Sequence, residues 1–160
     1  MKNLGKLLLL VALFATSLFS AYNPLDGVKA QKEEALKYVN KFITVKDFKA
    51  WKKEKKDFKL VDVRERSEIF AGQIPYKKTL HIPRGMLYGA VKKGKMKPNE
   101  TYVIVCRSGH RALLSAATLV KFYNFKNVYV LKGGIKAWIK SGEVVSNGLH
   151  LGDVKIELTK

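Results

Sequence analysis

Five short apolar runs punctuate the chain, "FITV", "FKLVDVR", "TLHIP", "TYVIVC" and "NVYVL", each bounded by polar or turn-forming residues. "TYVIVC" is apolar at consecutive positions instead of alternating ones, the pattern of a central strand buried on both faces. "FKLVDVR" reads as a second buried strand, and "TLHIP" as a short one stopped by Pro83. Between the runs, apolar residues recur at helical spacing. "GVKAQKEEALKYVNKF" predicts a helix over Val28 to Asn40, and Lys46 to Lys56 a second with Phe48 and Trp51 on one face. "RERSEIFAGQIP" predicts a short helix and turn, "RALLSAATLVKFYNF" a longer helix, and "GGIKAWIKSG" a glycine-started helix that ends on Gly142. The tail "EVVSNGLHLGDVKIELTK" has room for a strand or two. Strands alternating with helices imply a mostly parallel α/β sheet, and no internal repeat or low-complexity linker separates a second domain.

The N-terminus departs from this pattern. "MKNLGKLLLLVALFATSLFSAYNP" has Lys2 and Lys6, an apolar core from Leu7 to Phe14, and small residues before Pro24, the layout of a secretory signal peptide. Cleavage after Ser17 or after Ser20 fits equally. A retained anchor is the competing reading, but the apolar stretch falls short of the ~20 residues that span a bilayer. Removal of residues 1–20 leaves about 140 residues, enough to bury a core without staples. The expectation is a periplasmic or secreted protein with no membrane association in its mature form.

Charge narrows the partners. Lys plus Arg number 31 against 13 Asp plus Glu, a net +18. Such an excess attracts anions. Much of it falls in ordinary solvent-facing runs, "KAWKKEKKDFK" and the lysine-crowded loop "VKKGKMK". Nucleic acid is disfavoured, since no aromatic-interleaved basic strand or zinc-ligand spacing accompanies the charge. His81, His110 and His150 have no Cys or His at ligand spacing, so no metal site is expected. Nor is a cofactor, for there is no phosphate loop of the Gly-rich Lys-Ser/Thr type. "NET" at Asn99–Thr101 fits the glycosylation sequon, and a bacterial source would leave it unmodified.

The single cysteine, Cys106, ends the central strand and precedes a helix. In open α/β sheets ligands bind beyond the carboxyl ends of the strands. There the backbone N–H groups of Arg107, Ser108, Gly109, His110 and Arg111 can curl around the sulfur, while the helix dipole and two guanidinium groups favour the thiolate. Gly109 supplies the backbone freedom of a tight loop. A lone cysteine at a strand end is commonly just a small buried hydrophobe. Arg107 and Arg111 argue for the reactive reading, because a purely structural site has no use for two cations beside a thiol.

"LVDVRERSEIFAGQIP", "LHIPRG", "VIVCRSGHRA" and "LKGGIKAW" occur in the order and spacing of the rhodanese, or sulfurtransferase, domain, which the chain resembles from about Ile43 to Val145. The resemblance implies a three-layer α/β fold with a central parallel five-stranded sheet flanked by helices. It divides the chain into a signal peptide (1–20), an N-terminal helical extension (21–42), a rhodanese-like domain (43–145) and a C-terminal tail (146–160). It implies that Cys106 is the nucleophile, carrying a sulfane sulfur from thiosulfate or polysulfide to a thiophilic acceptor as a persulfide, and that Arg107 to Arg111 cradle the outer sulfur. Asp62 and Arg64 fall in the family's "DVR" motif, where structural hydrogen bonds are expected, and Arg64 is also a candidate for the pocket. Gly133, Gly134 and Trp138 match its "GG" turn and following helix. Gln73 replaces the family's usual His, which points to a remodelled surface turn.

Exported relatives that bind polysulfide surround the pocket with arginines, and Arg111, Arg84, Arg64 and Arg66 are the candidates for binding an anionic donor here. Four residues separate Cys106 from Arg111, against five in the related phosphatases and arsenate reductases, and the smaller ring suits one sulfur atom. Two readings stay open: an enzyme that turns over a small anionic sulfur donor, and a carrier that delivers sulfur to a protein partner. The N-terminal helix and C-terminal tail are the segments expected to carry any homodimer contact.

Overall fold

The structure is a computed structural model that describes residues 23–146 and 153–154. The expected signal peptide, and the tail beyond Ser146 apart from Asp153–Val154, lie outside the described residues. Two compact units divide the chain, Met1–Gln31 and Lys32–Lys160. The first contributes the opening of helix α1 (Pro24–Leu36), which starts and stops four residues earlier than its apolar spacing predicts. Its start is set by capping: Asn23 Oδ1 accepts the Leu25 N–H at 3.0 Å, and Pro24 takes the first helical position, where its missing N–H costs nothing.

In the second unit, β1 (Phe42–Ile43), β2 (Lys59–Asp62), β3 (Thr79–His81), β4 (Thr101–Val105) and β5 (Asn127–Leu131) form one sheet in the order β1-β5-β4-β2-β3. Every pairing is parallel. Successive side chains of a strand point to opposite faces, and β4 obeys this strictly. Tyr102 and Ile104 enter one core with Val61 and Val130, while Val103 and Val105 enter another with Leu60 and Leu131. Tyr102, Val103, Ile104 and Val105 are all buried, as the consecutive apolar residues of "TYVIV" require. Burial of a Val or Ile contributes roughly 1.5–3 kcal/mol, so this strand is a principal anchor of the fold.

Helices α4 (Leu87–Lys92) and α5 (His110–Tyr123) cover the first face through Leu87, Ala90, Ala112, Ala116 and Leu119. Helices α2 (Val45–Lys53) and α6 (Gly134–Lys140) cover the second through Phe48, Ile135 and Trp138. Phe48 is the hub there, meeting Phe58, Tyr76 and Trp138 edge-on at centroid distances of 5.3, 5.6 and 5.6 Å. The result is the three-layer architecture with a five-stranded parallel sheet that the family resemblance implies.

Local chemistry explains the departures. Helix α2 begins in a capping box, with Asp47 N–H on Thr44 Oγ1 and Thr44 N–H on the Asp47 carboxylate. It stops at Lys53 instead of continuing to Lys56, because Lys55 adopts a left-handed conformation (φ 54°). The "VKKGKMK" stretch is not simply a lysine loop. A 3₁₀ turn (Arg84–Met86) leads into α4, which runs into that stretch, and Met96 beyond it is buried. Helix α3 (Arg66–Phe70) occupies the expected position, and β6 (Val145–Ser146) pairs antiparallel with β7 (Asp153–Val154).

Parallel strands place all their carboxyl ends on one edge of the sheet. In register, Asp62 of β2 faces both His81 of β3 and Val105 of β4. The segments that follow these strands therefore converge.

Candidate active site

The central strand ends at Val105, whose carbonyl accepts the Val63 N–H at 2.9 Å, and Cys106 is the next residue out. The chain then turns through Arg107, Ser108 and Gly109 before α5 begins at His110. Gly109 has φ 102°, open to glycine at no steric cost, and this conformation points its N–H back at Cys106 Sγ at 3.1 Å. The Ala112 N–H reaches the same sulfur at 3.4 Å. Of the five loop residues expected to cradle the sulfur, Gly109 supplies a donor, and the second comes from just beyond them. Arg107 and Ser108 are exposed, and His110 is half-buried at the first position of α5.

A second segment holds the loop from behind. The carbonyls of Cys106 and Arg107 accept the N–H groups of Ile135 and Lys136, at 2.9 and 3.1 Å, from the opening of α6. Gly133 and Gly134 both have positive φ (73° and 60°), which lets this turn come against the cysteine loop. Trp138 anchors the same helix, buried and donating its indole N–H to the Val144 carbonyl at 2.7 Å.

The arginines separate into two groups. Arg64 is 4 % exposed and its guanidinium is taken up by the Asp62 carboxylate and the Glu68 and Gly72 carbonyls. It thus ties the segment after β2 together, with its charge already compensated, and is not presented to an incoming anion. Arg111 makes a two-pronged pair with Glu68, both N···O distances being 2.6 Å. The Arg111 hydrogen bonds outweigh desolvation and hold the Glu68 carboxyl down at about 2, while Glu68 raises Arg111 in return. Arg66, Arg84 and Arg107 are exposed and form no ion pair among the described residues. The backbone of Arg84 is pinned at the strand ends, its N–H on the Val63 carbonyl at 3.2 Å.

Two participants were not singled out from the sequence. Glu68 Oε2 also accepts the Glu65 N–H at 3.1 Å, so the acid at the third position of α3 caps its own helix and grips the cysteine loop. The E-x-x-E spacing of "ERSE" carries that capping signal. His81 Nε2 donates to the Arg64 carbonyl at 2.8 Å, joining the ends of β2 and β3. Among the described residues, no three His, Cys, Asp or Glu side chains gather in a way that holds a metal ion.

A thiol at the carboxyl edge of a parallel sheet, wrapped by the turn into the next helix, defines a class of α/β proteins built around a cysteine loop. The rhodanese-like domain model matches residues 44–141, and the chain belongs to that family. Among solved structures, it is similar to a Rhodopseudomonas palustris protein of unknown function described as a possible tyrosine phosphatase (29 % identity over 74 % of this chain and 92 % of that one, TM-score 0.62). It is likewise similar to the homodimeric polysulfide-sulfur transferase of Wolinella succinogenes (30 % identity, 75 % and 84 % coverage, TM-score 0.60). A rhodanese-related protein of Thermoplasma volcanium also matches (26 % identity, 66 % and 97 % coverage, TM-score 0.52). No curated protein matches the chain.

Proposed function

We propose that the protein is a sulfurtransferase that takes a sulfane sulfur from thiosulfate or polysulfide onto Cys106 and passes it to a thiophilic acceptor. The observation that carries this reading is the pair of backbone donors, Gly109 and Ala112, converging on Cys106 Sγ at the carboxyl edge of the sheet. Membership of the rhodanese-like family and the likeness to a polysulfide-sulfur transferase support it.

In the first half-reaction the Cys106 thiolate attacks the outer sulfur of thiosulfate. An S–S bond to Sγ forms, the S–S bond within the donor breaks, and sulfite leaves with the electron pair. A polysulfide dianion loses one sulfur in the same way and departs shorter. In the second half-reaction an acceptor such as cyanide attacks the outer sulfur, and Sγ leaves as the thiolate, ready for another cycle. Gly109 and Ala112 orient Sγ for both attacks, while the exposed Arg84 and Arg107 attract the anionic donor. The four-residue spacing from Cys106 to Arg111 favours this chemistry over phosphate transfer, which needs room for a tetrahedral oxyanion. The mature chain works outside the cytoplasm after signal cleavage, as a homodimer like its Wolinella relative.

The test is the intact mass of the mature protein, and of Cys106→Ser, after thiosulfate and separately after polysulfide. A gain of sulfur on the wild type alone, removed by cyanide with thiocyanate released, is expected. A free thiol after both donors, with the fold intact, would sink the enzyme reading and leave a carrier charged by a protein partner.

A further inference from the structure

Strand β3 is an outer strand of the sheet, with β2 as its one neighbour among the described residues. In the ladder between them, the Leu60 N–H donates to the Lys78 carbonyl and the Ile82 N–H to the Asp62 carbonyl, both at 3.0 Å. Backbone groups alternate in direction along a strand, so the N–H and C=O of Thr79 and of His81 point away from β2. Neither residue's backbone finds a backbone partner there among the described residues. Unpaired groups on a sheet edge are a template for another extended chain. Pairing with three residues holds such a chain weakly, so what lies beside the strand decides what binds.

Two cavities flank β3. Thr79 and His81 line a polar one of about 220 Å³ together with Gln73, Tyr76 and Ser146. His81 and Ile82 line a cleft of about 520 Å³ that carries Arg66, Lys93 and Lys95 against one acid, Glu65. None of the three cations has an ion-pair partner among the described residues. An added strand sends successive side chains to opposite faces of the sheet. Those on the Thr79 and His81 face meet the polar cavity. The alternate ones lie with Leu80 and Ile82, which pack in one core with the cleft residue Ala90, and so come beside the cations. His81 is in register with Asp62, and Asp62 with Val105, the residue before Cys106. A chain outside β3 therefore lies three inter-strand spacings, roughly 15 Å, from the cysteine strand.

We propose that the outer edge of β3 is a docking site for an extended segment of a partner protein, which lengthens the sheet by one strand and carries acidic side chains on the Leu80 face and small polar ones on the Thr79 face. Main-chain hydrogen bonds to Thr79 and His81 hold the segment, and the charge of Arg66, Lys93 and Lys95 selects its acids. The partner sits beside the cysteine loop and leaves Cys106 open, so the docking does not depend on sulfur transfer.

The probe is the capped heptapeptide Thr-Glu-Thr-Glu-Thr-Glu-Thr, whose acids share one face of a strand, added to the mature chain. Amide hydrogen exchange at Thr79 and His81 should be fast without it and slow with it. N-methylation of two adjacent central residues removes a ladder donor whichever way the peptide runs. It should weaken binding about tenfold, as should the double variant Lys93→Glu, Lys95→Glu. Thr79→Pro deletes an outward N–H at the first residue of an edge strand, where proline is tolerated, and should weaken binding likewise, with thermal unfolding to check the fold. The counterpart peptide with Lys in place of Glu should not bind, and sulfur loading of Cys106 should proceed unchanged with the acidic peptide in place. Slow exchange at Thr79 and His81 in the free chain would show an edge already paired. No slowing at about 1 mM peptide, or equal affinity for the N-methylated form, would show that no strand is added. Blocked loading would put the peptide over the cysteine instead. Each of these overturns the inference, whereas slowed exchange in a chain that never loads sulfur supports it and sinks the sulfurtransferase reading alone.

Discussion

Gly134 lies against the carbonyl of Cys106 so closely that a β-carbon there would sit 2.3 Å from the carbonyl oxygen and 2.8 Å from the carbonyl carbon of Arg107. Both obstacles are backbone, so neither can swing aside, and the residue's φ of +60° adds strain for any side chain. Gly134→Ala must therefore push the cysteine loop away from α6, breaking the hydrogen bonds from Ile135 and Lys136. The expected cost is about 2 kcal/mol or more in urea unfolding, with at least a tenfold slower gain of sulfur by intact mass. Wild-type stability and loading in this variant would mean that the loop keeps its shape without α6.

Glu68 provides a test with a defined pH window. Its folded value of about 2 lies below the ordinary 4.5, so its pair with Arg111 stabilises the protein fully above about pH 4.5 and less as pH falls toward 2. Glu34, Asp47 and Asp57, also lowered, lose stabilisation on acidification too, and the difference between variants is the informative quantity. Glu68→Gln should be less stable than wild type by about 1 kcal/mol at pH 6, a modest figure because the pair is partly exposed, and the gap should close on acidification. Urea midpoints at pH 6, 4 and 2.5 check this. A gap that stays constant with pH would assign the loss to packing.

The same residue marks the limit of what sequence reading reaches. The strands were legible because "TYVIV" and "NVYVL" are apolar where both sheet faces are covered, and the cysteine loop because Gly109 and the Gly133–Gly134 turn flank it in recognisable motifs. Glu68 looked like one more charge in "RERSE"; its partner Arg111 lies 43 residues on, and only folding joins them. Arg64 and Arg84 were both candidates for binding an anionic donor, yet Arg64 is buried on Asp62, in the structural hydrogen bonds its place in the "DVR" motif implied, and Arg84 is exposed, because the segment after β2 folds back over Arg64. Helix α4 was hidden by lysines that decorate its end, while Leu87 and Ala90 face the core.

The Asp62–Arg64 pair supports the site from beneath. Its closest N···O distance is 2.6 Å, and both side chains are nearly inaccessible to water. Removing the carboxylate leaves a guanidinium buried without its counter-charge, so Asp62→Ala should cost about 3–5 kcal/mol. The double variant Asp62→Leu, Arg64→Met removes both charges and should recover much of that loss. Chemical denaturation of the two proteins decides it. A double variant as unstable as the single one would show that the Arg64 hydrogen bonds to the Glu68 and Gly72 carbonyls, and not the ion pair, hold this turn.

Arg84 separates attraction at a distance from contact. It is exposed, its backbone is fixed at the carboxyl edge of the sheet, and it has no ion-pair partner among the described residues. Such a charge draws a dianionic donor toward the site chiefly through its field, which salt screens over about 30 Å at 0.01 M but only about 3 Å at 1 M. Arg84→Ala should thus slow sulfur loading from thiosulfate several-fold at low salt and hardly at all at 1 M. Rapid-quench loading rates across that range give the slope. If the deficit persists undiminished at high salt, Arg84 touches the bound donor directly; if there is no deficit even at low salt, it belongs to the general basic surface, and Arg107 becomes the residue to remove next.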